Sequence, residues 1–183
     1  MTIRLLLNGK KAAQEDIREA VYQLREQGYQ LEVRVTWEGG DIERLVQEAG
    51  AEGVTRLIAG GGDGTINEVV DALLKHELSH IELAVLPLGT ANDFATACEI
   101  PTLSPYDALH LALTGQATFI DAASANERHF INIATAGFGA QVTANTPVAL
   151  KNFLGGGAYT LQDLFKPLTF SLLAAEFCMT VKR

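Results

Sequence analysis

A chain of 183 residues, 48% hydrophobic and with 17 glycines, has the makings of a globular α/β protein with one good core, or one domain and part of another, and not of a disordered segment. Its net charge of −8 excludes nucleic acid as the main partner, since neutralising phosphates needs clustered Lys and Arg, and removes the polybasic route to an anionic membrane. No apolar run approaches the roughly 20 residues of a membrane span, and Met1-Thr2-Ile3-Arg4 lacks the charged and apolar regions of a secretory leader. Cys98 and Cys178 share no metal-type spacing and read as buried thiols of a reducing compartment, so a soluble cytoplasmic protein is expected.

In chain order, Ile3 to Asn8 reads as a first strand ended by the turn dipeptide Asn8-Gly9. Ile17, Ala20, Val21 and Leu24 form a helical face, closed by Arg25 and Gly28. Leu31 to Thr36 alternates at period two and predicts the second strand. Gly39-Gly40 turns it into a helix with Ile42, Leu45, Val46 and Ala49 inward and Asp41 as N-cap. Thr55 to Ala59 is the third strand. It runs into Gly60-Gly61-Gly62-Asp63-Gly64-Thr65, and Ile66, Val69, Val70, Leu73 and Leu74 then fall on one helical face. Leu83 to Leu86 is the fourth strand, leading into Pro87-Leu88-Gly89-Thr90-Ala91-Asn92-Asp93-Phe94. Ser104-Pro105 opens a last helix that buries Leu109, Ala112 and Leu113. Strands alternating with helices imply a parallel sheet with crossovers on both faces. The unusual turns at Asn8-Gly9, Thr36, Gly60 to Thr65 and Leu88 to Asn92 then share the carboxyl edge, where ligands of open α/β sheets bind.

Beyond Ala123 the pattern changes. Residues 1–123 carry 9 Lys and Arg against 19 Asp and Glu, or −10, whereas residues 124–183 carry 5 against 3, or +2. The break divides an α/β domain, 1–123, from a β-rich one, 124–183. Phe119 to Ala122 and His129 to Ala134 read as two strands joined around Asn126-Glu127. A helical stretch, Leu150 to Phe165, is interrupted by Gly155-Gly156-Gly157, and Phe177 to Val181 is strand-like. These pieces do not close a core of their own, so the second domain is expected to be incomplete.

A strand, a glycine turn and a helix together aim free N–H groups and the positive end of a helix dipole at an anion. Glycine there avoids a Cβ that would block a phosphate and permits positive φ. The loop has no Lys-Ser or Lys-Thr to make it a Walker A, and Thr65 and Asn67 stand where a dinucleotide fingerprint would need glycine. Four glycines in five positions exceed what a tight turn asks. Asp63 has two readings of equal weight: it holds a divalent metal beside the phosphates, directly or through water, or it caps the helix through the N–H of Thr65 or Ile66. Thr90 reads as a ligand contact or as a cap, as does Asn92, and Thr36 gains interest only from its place in the row of turns. Lys10 and Lys11 are either phosphate counter-charges or solvated. His76, His80, His110 and His129 share no ligand spacing, and no Gly-x-Ser-x-Gly supports hydrolase chemistry.

Gly61-Gly62-Asp63-Gly64-Thr65 followed by Asn67-Glu68, with Leu86-Pro87-Leu88-Gly89-Thr90-Ala91-Asn92-Asp93-Phe94-Ala95 downstream, resembles the diacylglycerol kinase catalytic domain. Val33-Arg34-Val35-Thr36-Trp37-Glu38 and Phe130-Ile131-Asn132-Ile133-Ala134-Thr135 look closest to the bacterial YegS-type lipid kinases within that superfamily, over about Leu5 to Tyr159. The resemblance implies a nucleotide domain of the phosphofructokinase and NAD kinase type followed by a β-sandwich, and transfer of the ATP γ-phosphoryl, with Mg²⁺ or another divalent metal, to a lipid hydroxyl such as that of phosphatidylglycerol or diacylglycerol. It implies transient contact with a membrane surface to reach that lipid, and leaves the oligomeric state open. Carried over, Thr36, Gly62, Asp63, Gly64, Thr65, Ile66, Asn67, Glu68 and Thr90 would contact ATP, with Asp63 in the metal network. Thr96 stands where the family has Arg. No Asp-Gly-Glu, the family's general-base stretch, occurs, so no catalytic base is expected in this chain, and ATP binding is expected to survive better than turnover. The alternatives are a non-catalytic ATP-binding fragment and a kinase of a soluble acceptor such as NAD.

Overall fold

The computed structural model describes residues 2–132 and 180–182. The expected strand at Ile133-Ala134, the stretch from Leu150 to Phe165, Cys178 and most of the expected second domain lie outside the described residues. Strands β1 (Ile3–Leu7), β2 (Leu31–Val35), β3 (Arg56–Gly61) and β4 (Glu82–Pro87) form one sheet in the order β2-β1-β3-β4, every pair parallel. Helices α1 (Glu15–Glu26), α2 (Asp41–Ala51), α3 (Asp63–Lys75), α4 (Asp93–Ala97) and α5 (Pro105–Thr114) complete the α/β fold.

Alternation along the strands sorts the core into two layers. Ile3, Leu5, Leu7 and Ile58 pack with Ile17, Val21 and Leu24 of α1 and Leu109 of α5. Leu6, Leu57 and Ala59 face the other way, onto Val46 of α2 and Ile66, Val69 and Leu73 of α3. The i, i+3, i+4 spacing read from the sequence supplies these faces, and each fully buried aliphatic side chain contributes about 1.5–3 kcal/mol of transfer free energy. Two buried arginines interrupt the pattern near the amino ends of the strands. Arg4, 1% exposed, is paired with Glu32, Glu48 and Glu52. Arg56 donates to the carbonyls of Ala112 and Gly115, closing the end of α5, and pairs with Glu82 at 2.6 Å.

Several element ends differ from expectation. β3 runs two residues further, through Gly60 and Gly61, because both glycines pair in register, Gly60 with Leu7 and Leu86 and Gly61 with Pro87. Asp41 is not the N-cap of α2; Gly40, at φ 88°, occupies that position, and Asp41 is the first helical residue. Ser104 does cap α5, its hydroxyl accepting the Asp107 N–H at 3.1 Å. The strand expected at Phe119 to Ala122 is β5 (Ala122–Ala125), paired antiparallel with β6 (Arg128–Phe130) and β7 (Thr180–Lys182). Asn126 and Glu127 both have positive φ, and this two-residue turn sets the register. Opposite so short a β6 only Ala123 to Ala125 find partners, which leaves Phe119 unpaired and exposed. Cys98 is exposed, not buried, since the short α4 turns it outward. Among the described residues no helix is long and apolar enough to cross a membrane.

Candidate functional site

The strand order reverses direction between β1 and β3, and the crevice beyond the carboxyl ends of those strands is where open α/β sheets bind ligands. Asn8 and the run from Gly60 to Thr65 meet there. The Asn8 N–H donates to the Gly60 carbonyl at 2.8 Å, and its side-chain Nδ2 donates to Thr65 Oγ1 at 3.2 Å. On the β2 side, the Thr36 N–H donates to the Leu7 carbonyl at 3.0 Å and its Oγ1 accepts the Gly9 N–H at 3.2 Å. A Cβ on Gly9 would lie 2.1 Å from the Thr36 carbonyl oxygen, so only glycine allows this contact. On the β4 side, the Leu88 N–H donates to the Gly61 carbonyl at 2.8 Å. Three of the four expected turns are thus hydrogen-bonded to the glycine loop or to the turn beside it.

The glycines divide by role. None from Gly60 to Gly64 has positive φ, contrary to the conformational reason expected for them. A Cβ on Gly60 would meet Leu5 Cδ1 at 2.9 Å, one on Gly61 would meet Thr65 Oγ1 at 2.4 Å, and one on Gly62 would meet Gly89 Cα at 3.1 Å. Packing within the protein therefore accounts for three of them, and the backbones of the two loops touch at Gly62 and Gly89. Gly64 is different: it is exposed, in the first turn of α3, and its missing Cβ faces open space. The N–H groups of Gly62, Asp63, Gly64 and Thr65 find no acceptor among the described residues, whereas that of Ile66 is already donated to the Gly62 carbonyl at 3.1 Å. Four consecutive unspent donors at the positive end of a thirteen-residue helix form a cradle for an anion.

Asp63 does not cap its own helix. Its Oδ2 accepts the Asp93 N–H at 3.3 Å and its Oδ1 the Phe94 N–H at 3.2 Å, so it caps α4 from across the loops. Neither Thr90 nor Asn92 supplies that cap. Asn92 sits in the left-handed region at φ 52°, and its side chain turns back to accept the Gly89 N–H at 2.8 Å and donate to the Gly89 carbonyl at 3.1 Å. Thr90 is left exposed at the tip of this closed turn. The other residues expected to contact ATP follow the cradle along α3. The Ile66 side chain is 1% exposed, in the core. Asn67 Oδ1 accepts the Ile131 N–H at 3.0 Å, and one turn along α3 Asp71 Oδ1 accepts the His129 N–H at 2.8 Å. Glu68 is exposed on the same helix. The sequence placed the Asn8-Gly9 turn on this edge but gave the Asn8 side chain no role; its amide holds Thr65. Lys11 lies along a cleft of about 230 Å³ that adjoins the Gly89 side of the paired loops.

Among the described residues no three His, Cys, Asp or Glu side chains are gathered to hold a metal ion. The donor set fits only the open kind of divalent site, in which one or two carboxylates bind the ion and phosphate oxygens and waters complete its shell. Asp63 is the carboxylate in the first turn of α3, beside the cradle.

The loop after β2 is clamped by Asp41, which is 8% exposed. Its Oδ2 accepts the N–H of Trp37 at 2.6 Å and of Glu38 at 3.0 Å, and its Oδ1 pairs with Arg44 at 2.7 Å. The Arg44 guanidinium first, then the two backbone N–H groups, lower the Asp41 carboxyl to about 2. A folded value below the unfolded one of about 3.9 means that this stabilisation is present above pH 4 and lost as the pH falls toward 2. Trp37 is the only tryptophan, so its fluorescence is expected to report loosening of this loop over that window, and Asp41→Asn is expected to flatten the acid dependence.

Residues 2–125 match the family described as diacylglycerol kinase catalytic domain. A protein of Shewanella frigidimarina named "Probable lipid kinase YegS-like" is 57% identical over 170 residues, 92% of this chain and 55% of its own length. One of the same name from Yersinia enterocolitica is 54% identical over 174 residues, 94% of this chain and 58% of its own. The chain thus spans a little over half the length of these curated relatives. A crystal structure of a diacylglycerol kinase from Bacillus anthracis superposes with a TM-score of 0.68 at 28% identity, covering 92% of this chain and 55% of that one.

Proposed function

The chain belongs to the diacylglycerol kinase catalytic domain family, and from that premise we propose that its carboxyl-edge cradle binds the phosphates of ATP in an ATP-dependent lipid kinase. The observation that carries this reading is the run of four unspent N–H groups from Gly62 to Thr65, with open space where Gly64 lacks a Cβ. The acceptor is a lipid hydroxyl, such as that of phosphatidylglycerol or diacylglycerol; the name carried by the Shewanella and Yersinia relatives supports a lipid over NAD. Reaching that lipid calls for transient contact with a membrane surface.

In the transfer, the bond from the γ-phosphorus to the β–γ bridging oxygen breaks as one to the lipid oxygen forms, and the lipid hydroxyl gives up its proton to solvent, since the chain carries no Asp-Gly-Glu base stretch to take it. The backbone donors of the cradle hold the phosphate oxygens in line and stabilise the charge that spreads over them. Thr65, fixed by Asn8, and Thr36, fixed by Gly9, keep the flanking turns from drifting. Exposed Thr90 lies on the far wall, where the contact of Gly62 with Gly89 sets its distance. A divalent ion bound at Asp63 would neutralise the β- and γ-phosphate oxygens. Asp63 does two jobs in this reading, since its α4 cap also fixes the carboxylate for the metal.

Calorimetric titration of the chain with ATP and Mg²⁺ is expected to show saturable binding at one site. With radiolabelled ATP, the chain is expected to label phosphatidylglycerol or diacylglycerol dispersions at most weakly, and NAD not at all, because no Asp-Gly-Glu stretch occurs in it; robust lipid labelling by this chain would overturn the missing-base expectation. Label in NAD alone would move the acceptor to the soluble class, and absence of ATP binding would remove the nucleotide reading altogether.

A further inference from the structure

Trp37 is 93% exposed, although its backbone is among the most firmly held on the carboxyl edge. Its N–H is donated to buried Asp41 at 2.6 Å, and the residue before it, Thr36, is bonded to Leu7 and Gly9. From there the bonds of Asn8 to Gly60 and Thr65 continue to the cradle. A relay of hydrogen bonds thus fixes the base of the indole relative to the glycine loop. Two strand spacings separate β2 from β3, about 10 Å, a separation that the ribose and phosphate chain of a nucleoside triphosphate can span. An indole on a clamped backbone that touches almost nothing in the protein contributes little to folding. Leu103 and Phe119 are as exposed, but no comparable relay ties either to the cradle.

Resting on the nucleotide reading above, we propose that Trp37 is the base platform of the site: the adenine of ATP stacks on the indole while the triphosphate lies in the cradle. A flat aromatic face accepts a purine without needing hydrogen-bond partners, and the clamp at Asp41 means that little ordering is left for the ligand to cause. A membrane anchor would be the other use of an exposed tryptophan. The −10 charge of residues 1–123 gives an anionic surface no attraction to add to a single side chain, and the relay toward the glycine loop has no part in it.

The test uses the whole chain with ATP, inorganic tripolyphosphate and phosphatidylglycerol vesicles as probes. The single tryptophan is expected to be quenched saturably by ATP and unaffected by tripolyphosphate, although both occupy the cradle. Trp37→Ala is expected to weaken ATP by roughly tenfold, on the scale of one base–aromatic stack, and to leave tripolyphosphate affinity unchanged. Trp37→Phe, which keeps a stacking face, is expected to restore most of the loss. Equal ATP affinity in wild type and Trp37→Ala would overturn the platform while leaving the cradle intact. Binding of neither ATP nor tripolyphosphate to the wild type would overturn the nucleotide reading and the platform with it. Fluorescence that answers to vesicles but not to ATP would assign Trp37 to a membrane surface, and would also overturn the proposal.

Discussion

Gly62→Asp is expected to abolish ATP binding while leaving the chain folded. Gly62 has φ −89° and ψ −177°, a conformation that any residue adopts, so the backbone itself does not resist the change. The new carboxylate would instead stand at the mouth of the N–H cradle. A like charge about 4 Å from a phosphate oxygen, at an effective dielectric near 20, costs about 4 kcal/mol, or about a thousandfold in affinity. The Cβ would also press on Gly89 Cα, 3.1 Å away, and open the paired loops. Gly62→Ala carries only that second effect and is expected to lose far less. ATP affinity within a few-fold of wild type in Gly62→Asp would mean that the phosphates lie elsewhere.

Asp63 gives the other large effect, with a sign that depends on metal. Asp63→Asn keeps one acceptor for the N–H groups of Asp93 and Phe94, whereas Asp63→Ala keeps none, so the alanine variant is expected to lose about 1 kcal/mol of stability and the asparagine variant less. If Asp63 also holds the divalent ion, both variants are expected to bind ATP about tenfold more weakly with Mg²⁺, a change of about 1.4 kcal/mol. In EDTA the order is expected to invert, because removing the carboxylate removes a charge that repels the triphosphate. Calorimetry with and without Mg²⁺ reads both arms. A residue that only capped α4 would lower thermal stability and leave the Mg²⁺ dependence of ATP binding as in the wild type.

The parallel sheet and its crossovers were legible because strand and helix periods are local. The spacings of Ile17 to Leu24, Ile42 to Ala49 and Ile66 to Leu73 each name the buried face seen in the structure. The clustering of the unusual turns was legible too, since right-handed crossovers leave no other edge for them. What stayed hidden depends on contacts between distant residues. Gly60 and Gly61 read as loop, but they are strand residues whose register with Leu7, Leu86 and Pro87 is set by other strands. The carboxylate of Asp63 satisfies a helix thirty residues away, which no capping rule based on neighbours can find. Asn8-Gly9 stood out as a carboxyl-edge turn, but the bond of the Asn8 amide to Thr65 could not be read from it. Arg4 and Arg56 fall inside the expected strands, and both are buried because their carboxylate and carbonyl partners come from other elements. Asn67, grouped with the phosphate loop by its motif, spends its carbonyl on Ile131.

A loop built for a phosphate differs from a mere tight turn at one residue, Gly64. A Cβ there would have no protein neighbour within 4 Å, and φ is not positive, so folding gives no reason for glycine. Gly64→Ala should therefore stabilise the chain by about 0.4–1 kcal/mol through the unfolded state. The same methyl would stand where the phosphate approaches. Paired thermal melts and ATP titrations of Gly64→Ala are expected to show a higher melting temperature together with at least about tenfold weaker ATP binding, a loss of about 1.4 kcal/mol. A variant that is more stable and binds ATP as tightly as the wild type would contradict a phosphate cradle at this loop.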